Sequence, residues 1–186
     1  METKFLEPKD ISDLAMELDC ELAVLNTIVE VEGSYKGFSE NGEPYILFHR
    51  DVFARQTKGV YNTVAPDISN QQQDDYDMVT DQHERLHKAL MYNHDAALMA
   101  TGWGRFQIMG FNYALAGFSH LQDFISAMYE SEKAQLAAFV QYLKNLSLDE
   151  DLRNKNWKHF ARKYKRTHNL QAYIKQLETV YLKYAG

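Results

Sequence analysis

The sequence predicts an all-α fold with at most a vestigial β-hairpin. Hydrophobic residues recur at helical spacing along almost the whole chain of 186 residues. Only three prolines and nine glycines occur, which argues against disorder or a long linker. With 45% hydrophobic residues the chain can fill a core, so we expect a single domain over residues 1–186, with two small lobes around a cleft.

The hydrophobic period predicts the first two helices over residues 11–18 and 22–32, the second ending at the Gly33 break. Residues 45–48 fit a brief strand or an extended entry into the next helix. Residues 58–79 are polar and longer than an ordinary connection, so we expect a loop that lines a cleft. Further helices are predicted over residues 49–57, 80–91, 94–101, 111–117, 120–129, 132–145, 149–164 and 168–184. Suitable N-cap residues are Asp10, Asn93, Ser119, Ser131 and Asp149.

The net charge of −6 is unevenly distributed. Residues 153–184 contain nine lysines and arginines and one acid, Glu178. Such a basic helical region attracts polyanions, which are nucleic acid, anionic lipid or cell-envelope polymer. The alternative is a solvated face that balances the acidic remainder. The acidic remainder and the lack of a recognised binding motif argue against nucleic acid.

The sequence also bears on the compartment. No run of about eighteen apolar residues occurs, so no membrane span is predicted. The first ten residues carry acids and no apolar stretch, which does not fit a signal peptide. Cys20 is the only cysteine, which excludes an internal disulfide and a cysteine-based metal cage. We therefore expect a protein made in the cytosol that needs help to leave it.

Two segments suggest glycan cleavage. Glu32 follows an apolar helical run and precedes Gly33, so packing would anchor it while its carboxyl stays open toward a cleft. Partial burial favours the protonated carboxyl that a general acid needs. Residues 102–110, which do not fit regular structure, offer Trp103 and Phe106 as ring faces for sugars and Gln107 as both donor and acceptor. The alternatives are a solvated helix end and a buried aromatic turn.

A second motif suggests zinc chemistry. His83, Glu84 and His87 fit H-E-x-x-H, in which two histidines one helical turn apart bind zinc and the glutamate acts as a base. A third ligand is needed. His94 lies one residue too far along the chain for the known spacing, and nothing singles out a later acid such as Glu130 or Glu132. A charged, solvent-facing helix is therefore the preferred interpretation.

Several segments in order carry a family resemblance. They are Val31-Glu32-Gly33-Ser34, Gly37-Phe38, Asn41-Gly42-Glu43-Pro44, Ile46-Leu47-Phe48-His49-Arg50, Trp103-Gly104-Arg105-Phe106-Gln107-Ile108-Met109-Gly110-Phe111-Asn112, Ala114-Leu115-Ala116-Gly117, Gln135-Leu136 with Phe139-Val140, and Trp157, Phe160, Ala161 and Tyr164. Together they resemble the phage and prophage N-acetylmuramidases, which are endolysins with a lysozyme-like helical fold of two lobes around a cleft. The resemblance covers roughly residues 20–184.

The resemblance implies a single catalytic domain without a separate wall-binding module. It implies Glu32 as the catalytic acid and His49, Trp103, Phe106, Gln107 and Tyr164 as substrate-binding residues. It implies that no metal or cofactor is needed and that the match of residues 83–87 to H-E-x-x-H is a coincidence. The implied substrate is bacterial peptidoglycan, cut between N-acetylmuramic acid and N-acetylglucosamine to lyse the host.

The resemblance also implies where the protein acts. A monomer would wait in the host cytoplasm and reach the wall in the periplasm through a lesion made by a holin-like partner. The chain departs from the family pattern at His49, where the family has Glu, and at Lys165, where it tends to have Asn-Gly. The second catalytic group stays open, with Asp67, Asp74 and Asp75 as weak candidates. A lytic transglycosylase, an inactive structural protein of a phage particle and a zinc peptidase are the alternatives.

Overall fold

The computed structural model describes residues 4–33, 36–72, 81–165 and 169–186. It confirms the predicted, mostly helical fold, with ten α-helices and one small sheet in these residues. The helices are α1 (Pro8–Glu17), α2 (Leu22–Glu32), α3 (Arg50–Gln56), α4 (Gln82–Tyr92), α5 (His94–Met99), α6 (Leu121–Glu130), α7 (Glu132–Asn145), α8 (Asp149–Arg153), α9 (Trp157–Tyr164) and α10 (Leu170–Ala185). The strands are β1 (Ile46–Phe48), β2 (Thr101–Trp103) and β3 (Ile108–Met109).

The sheet is antiparallel, in the order β1-β2-β3. Its register places Ile46 opposite Trp103 and Gly102 opposite Met109. The β2–β3 hairpin turns through residues 104–107, where Gly104 and Gln107 have φ of +68° and +50°. Residues 102–110 are therefore more regular than we expected, because the left-handed turn allows the two short strands to pair. The strand interpretation of residues 45–48 is confirmed.

The core is centred on α2, which packs against α1 and α10. Its Val24, Leu25 and Ile28 side chains are fully buried. Helix α10 also packs against α9, so the C-terminal part of the chain lies beside the end of α2. This packing brings residues of α9 and α10 to Glu32 across more than a hundred positions of sequence.

Local capping confirms some predicted helix starts and contradicts others. Asn93 and Ser131 accept hydrogen bonds from the backbone N–H groups of Ala96 and Ala134, at 3.0 and 3.1 Å, as N-caps should. Asp10 is not an N-cap. Its carboxylate accepts from the backbone N–H of Glu7, the residue before α1, at 3.1 Å.

Two further caps lie one residue away from their predicted positions. The residue before α6 is His120 rather than Ser119, and the residue before α8 is Leu148 rather than Asp149. Neither of the observed residues caps its helix with a side-chain hydrogen bond.

Two predicted helices are wrong: one is divided into two helices, and the other is mostly turns. Residues 149–164 form α8 and α9, because Lys155 takes a φ of +54° and Asn156 starts a new helix by capping the His159 N–H at 3.3 Å. Residues 111–117 form the end of a short 3-10 helix (Gly110–Asn112) and then turns. The Phe118 N–H bonds to the Tyr113 carbonyl, a pattern that ends a helix rather than extending it.

The predicted long loop is described only up to residue 72, and residues 73–79 of it lie outside the described ranges. Its described part forms turns that bury Ala65, Ile68 and Ser69. Within the described ranges no helix has the length and apolar character needed to cross a bilayer.

Candidate functional site

Glu32 is the last residue of α2, and packing holds this helix end in place. Val29 and Val31 are buried, and the Gly33 N–H closes the helix on the Val29 carbonyl at 3.0 Å. A Cβ at position 33 would clash with that carbonyl and lie 2.8 Å from Arg105 Nε. The close approach of Arg105 therefore requires glycine immediately after Glu32.

Residues from α9, α10 and the segment after α9 surround the Glu32 carboxylate. The Tyr173 hydroxyl donates to Oε1 at 2.6 Å, and the Tyr164 hydroxyl is also hydrogen-bonded to the carboxylate. Lys165 Nζ lies 3.2 Å from Oε1 and 3.0 Å from Oε2. The Glu32 side chain is only 5% exposed. This position differs from the open one that we expected, because Lys165 and the two phenols cover the carboxylate.

The two phenols remain hydrogen-bond donors at ordinary pH. Burial, followed by the negative charge of Glu32, raises the pKa of the Tyr173 hydroxyl far above its usual value. The same two causes raise the pKa of Tyr164. The Lys165 ammonium also lies 4.8 Å from the centre of the Tyr173 ring, a cation–π distance. The carboxylate thus has two neutral donors and one cationic donor.

A groove of about 280 Å³ lies beside this cluster. Tyr164 and Lys165 contribute to its wall as well as to the surroundings of Glu32. Phe106 and Phe139, which are only 6% and 1% exposed, stack behind this groove at a centroid distance of 4.6 Å with nearly parallel rings. Its complete lining is Phe106, Gln107, Ile108, Met109, Asn112, Phe139, Tyr142, Tyr164 and Lys165.

Three of the predicted substrate-binding residues, Phe106, Gln107 and Tyr164, therefore line one groove next to Glu32. The Gln107 side-chain amide donates to the Gly104 carbonyl at 2.8 Å. In the described part of the chain its Oε1 is buried and has no hydrogen-bond partner. This Gln107 oxygen is therefore an unused hydrogen-bond acceptor inside the base of the hairpin turn.

Trp103 and His49 do not line this groove. Trp103 is 1% exposed, and its indole N–H donates to the Leu98 carbonyl at 3.1 Å, so its ring belongs to the core rather than to a sugar-facing surface. His49 precedes α3, and its backbone N–H bonds to the Ala100 carbonyl at 3.0 Å. Both residues position strands and helices around the sheet.

The sequence did not single out a buried polar cluster that joins the parts of this site. Glu132 accepts from the Gly37 N–H at 2.8 Å, from the Leu6 N–H at 2.9 Å and from Arg105 at 3.2 Å. Gln135 accepts from the Arg105 backbone N–H at 2.8 Å. The cluster therefore ties α7 to the hairpin turn and to the segment after Glu32. Its only signal in the sequence is that acid and amide side chains lie on the buried face of α7.

The motif residues His83 and His87 lie on α4. The His83 Nε2 lies 3.1 Å from the Pro44 carbonyl oxygen. Since a carbonyl only accepts, this nitrogen carries its proton and is not available as a ligand. No group of three or more histidine, cysteine or acidic side chains within the described ranges is arranged to hold a metal ion.

Among the candidates for a second carboxylate, Asp67 forms an ion pair with Lys88 of α4 at 2.7 Å. Burial opposes ionisation, but the hydrogen bonds and positive charge of Lys88 outweigh it and lower the pKa of Asp67. Asp67 is not part of the groove lining. Asp74 and Asp75 lie outside the described residues.

The basic C-terminal region is partly neutralised by acids around α2. Lys155 pairs with Glu21, Lys165 with Glu32 and Lys183 with Glu30. Other basic residues of this region are exposed, namely Lys158, Arg162, Lys163 and Lys175.

The chain is similar to known proteins in sequence and in fold. A family model described as N-acetylmuramidase matches residues 21–185. The fold is similar to the crystal structure of an endolysin of the Burkholderia phage AP3, with a TM-score of 0.89 and 31% sequence identity. The match covers 99% of this chain and 72% of that chain. No curated protein matches the chain.

Proposed function

Because this chain belongs to the N-acetylmuramidase family and is a peptidoglycan hydrolase, we propose that it cleaves the β-1,4 bond between N-acetylmuramic acid and N-acetylglucosamine with Glu32 as general acid. One observation carries the proposal. Glu32 is a nearly buried carboxyl held by two phenols, and residues that touch it also line an aromatic groove. Such a groove suits sugar rings, which have flat apolar faces.

The proposed chemistry begins with opening of the Lys165–Glu32 ion pair, after which the Glu32 carboxylate takes up a proton from solvent. Glu32 then donates this proton to the glycosidic oxygen as the bond from that oxygen to the anomeric carbon breaks. Water then adds to the oxocarbenium-like carbon, either directly or after the substrate's own acetamido group has trapped it. The proton released by water restores the acid. The hydroxyls of Tyr164 and Tyr173 orient the carboxyl throughout.

Substrate binding is assigned to the groove. We propose that Phe106 and Tyr164 contact sugar rings and that Gln107 binds substrate from the groove wall. Trp103 supports β2 from the core.

The test is hydrolysis of purified peptidoglycan by Glu32→Gln, followed by turbidity and by analysis of the released sugars. We expect a rate loss of about 100- to 10,000-fold, the usual contribution of a general acid. Glu30→Gln is the matched control, since Glu30 lies on the same helix but pairs with Lys183 and Tyr184 instead. Full activity of Glu32→Gln would reject the assignment. Flat turbidity curves for the wild-type protein would favour an inactive structural protein.

A second candidate reaction is that of a lytic transglycosylase. Among the described residues, the groove lining contains no second carboxylate, which fits a reaction in which one glutamate acts first as acid and then as base. The 6-hydroxyl of the muramic acid would then close an anhydro ring in place of water. Mass spectrometry of the products separates the two reactions, because the anhydro product is lighter by one water.

Access to the wall is part of the proposal. We propose that the monomer waits in the host cytoplasm and enters the periplasm through a lesion made by a holin-like partner. The exposed Lys158, Arg162 and Lys163 would add affinity for the anionic envelope. Replacing these three with glutamate should weaken killing of intact cells more than hydrolysis of purified wall. Equal effects in both assays would contradict the envelope contact.

A further inference from the structure

Lys165 occupies an unusual position, because it belongs both to the groove wall and to the surroundings of Glu32. Its ammonium lies 3.0 and 3.2 Å from the two carboxylate oxygens. Its side chain is 42% exposed, whereas that of Glu32 is 5% exposed. A ligand that enters the groove therefore reaches Lys165 before it reaches the carboxylate.

The three donors around Glu32 differ in how firmly they are held. Tyr173 is buried on α10 and Tyr164 packs on Phe160 of α9, with a ring centroid distance of 5.3 Å. Lys165 follows α9 in an extended conformation, and its flexible stem brings the charge to Glu32 from the solvent side. The ammonium can therefore move away from Glu32 while the phenol hydroxyls stay.

We propose that Lys165 determines specificity for anionic glycans by exchanging partners. A carboxylate of the substrate takes the ammonium from Glu32, which anchors the substrate and uncovers the acid in the same step. The inference rests on the proposed function of Glu32.

The exchange is selective because one ion pair replaces another. When the Lys165 ammonium leaves Glu32, a glycan that carries carboxylates offers the ammonium a new ion-pair partner. A neutral glycan separates the pair without offering a new partner, so its productive binding is weaker. Peptidoglycan supplies carboxylates of two kinds, on the lactyl ether of peptide-free strands and on the stem peptide, whereas an amidated strand supplies neither.

The experiment compares kcat/KM on charged and neutralised substrates. Peptide-free glycan strands and peptide-bearing strands are each used as they are and after their carboxylates have been converted to amides with a carbodiimide and ammonia. For the wild-type protein we expect a preference of about tenfold or more for charged strands, the size of one charge-assisted hydrogen bond. A preference on peptide-free strands assigns the lactyl carboxylate, and one confined to peptide-bearing strands assigns the stem peptide.

Variants of Lys165 test whether this residue causes the preference for charged strands. Lys165→Gln should reduce the charged-to-amidated ratio to near one, with a higher KM on charged strands and faster cleavage of amidated strands. Lys165→Arg should keep the preference. Lys175→Gln is the matched control, since it removes the same charge from an exposed position on α10 outside the groove lining, and it should also keep the preference.

Two results would overturn the inference: a wild-type ratio near one on both strand types, or a Lys165→Gln ratio equal to that of the wild type. The wild-type ratio needs no variant and so does not depend on how Lys165→Gln folds. Failure of the proposed function would look different, because Glu32→Gln would then cleave charged strands as fast as the wild type.

Discussion

Replacing Tyr173 with Phe isolates one contact of Glu32. The substitution removes only the hydroxyl that lies 2.6 Å from Glu32 Oε1 and leaves the ring packed on α10. A hydrogen bond to a charged group contributes about 1.5–3 kcal/mol, and here the acceptor is shielded from solvent. We therefore expect Tyr173→Phe to lower the free energy of unfolding by about 2 kcal/mol and Tm by about 4–8 °C.

The assay is urea unfolding followed by circular dichroism, which reports the helix content directly. Tyr184→Phe is the control on the same helix, because Tyr184 donates to Glu30, a carboxylate in an exposed pair. That variant should lose much less stability, since exposed polar pairs contribute little. Equal losses in the two variants would refute the argument that burial makes the Tyr173 contact strong.

The same contact predicts a dependence on alkaline pH. A tyrosine in the unfolded chain loses its proton near pH 10, whereas burial and the Glu32 charge raise the pKa of folded Tyr173 above that value. The contribution of the hydroxyl is thus complete below about pH 10 and declines as the pH rises further, because only the unfolded state ionises. The stability difference between the wild type and Tyr173→Phe should narrow from about pH 10 upward. A constant difference in unfolding experiments on both sides of that pH would contradict this reasoning.

Three further predictions concern positions outside the groove. Glu132→Ala should lower the free energy of unfolding, measured by urea denaturation, by about 3–5 kcal/mol, because Arg105 and the Gly37 N–H lose a buried charged partner. A loss below about 1 kcal/mol would show that the cluster is dispensable for stability. Gly33→Ala should lower the free energy of unfolding by about 1–3 kcal/mol and reduce the rate of hydrolysis, since the added Cβ meets Arg105. Wild-type stability together with wild-type hydrolysis would contradict the close approach of Arg105 to position 33. Burial raises the pKa of the Cys20 thiol to about 11. Iodoacetamide should therefore alkylate Cys20 about tenfold more slowly in the folded protein than in the urea-unfolded protein, and equal alkylation rates would contradict this prediction.

The sequence predicted the fold best where local signals decide the structure. Helices α2 and α7 begin and end where predicted, because Gly33 stops the first and Ser131 caps the second. It failed at 111–117, which form the end of a 3-10 helix and turns that close at Gly117 with a φ of +94°, and at Lys155, whose left-handed φ divides a helix. Neither failure has a strong signal in a single sequence.

The site was predictable only in part for a similar reason. The residue types around Gly102–Gly110 and the position of Glu32 at a helix end pointed to two segments, and Phe106 and Gln107 of the first segment line a groove beside the second. The partners of Glu32, however, are 133 and 141 residues away in sequence. Only the packing of α10 on α2 brings them together, and that packing has no local pattern.

The placement of Glu32 and its partners at opposite ends of the chain also matters during synthesis. At ordinary elongation rates the ribosome needs roughly ten seconds to pass from position 32 to Tyr173. Throughout that interval the nascent chain lacks the hydroxyl that donates to Glu32 Oε1. A chain terminated before α10 lacks this contact permanently, so the surroundings of Glu32 are complete only when nearly the whole polypeptide has been made.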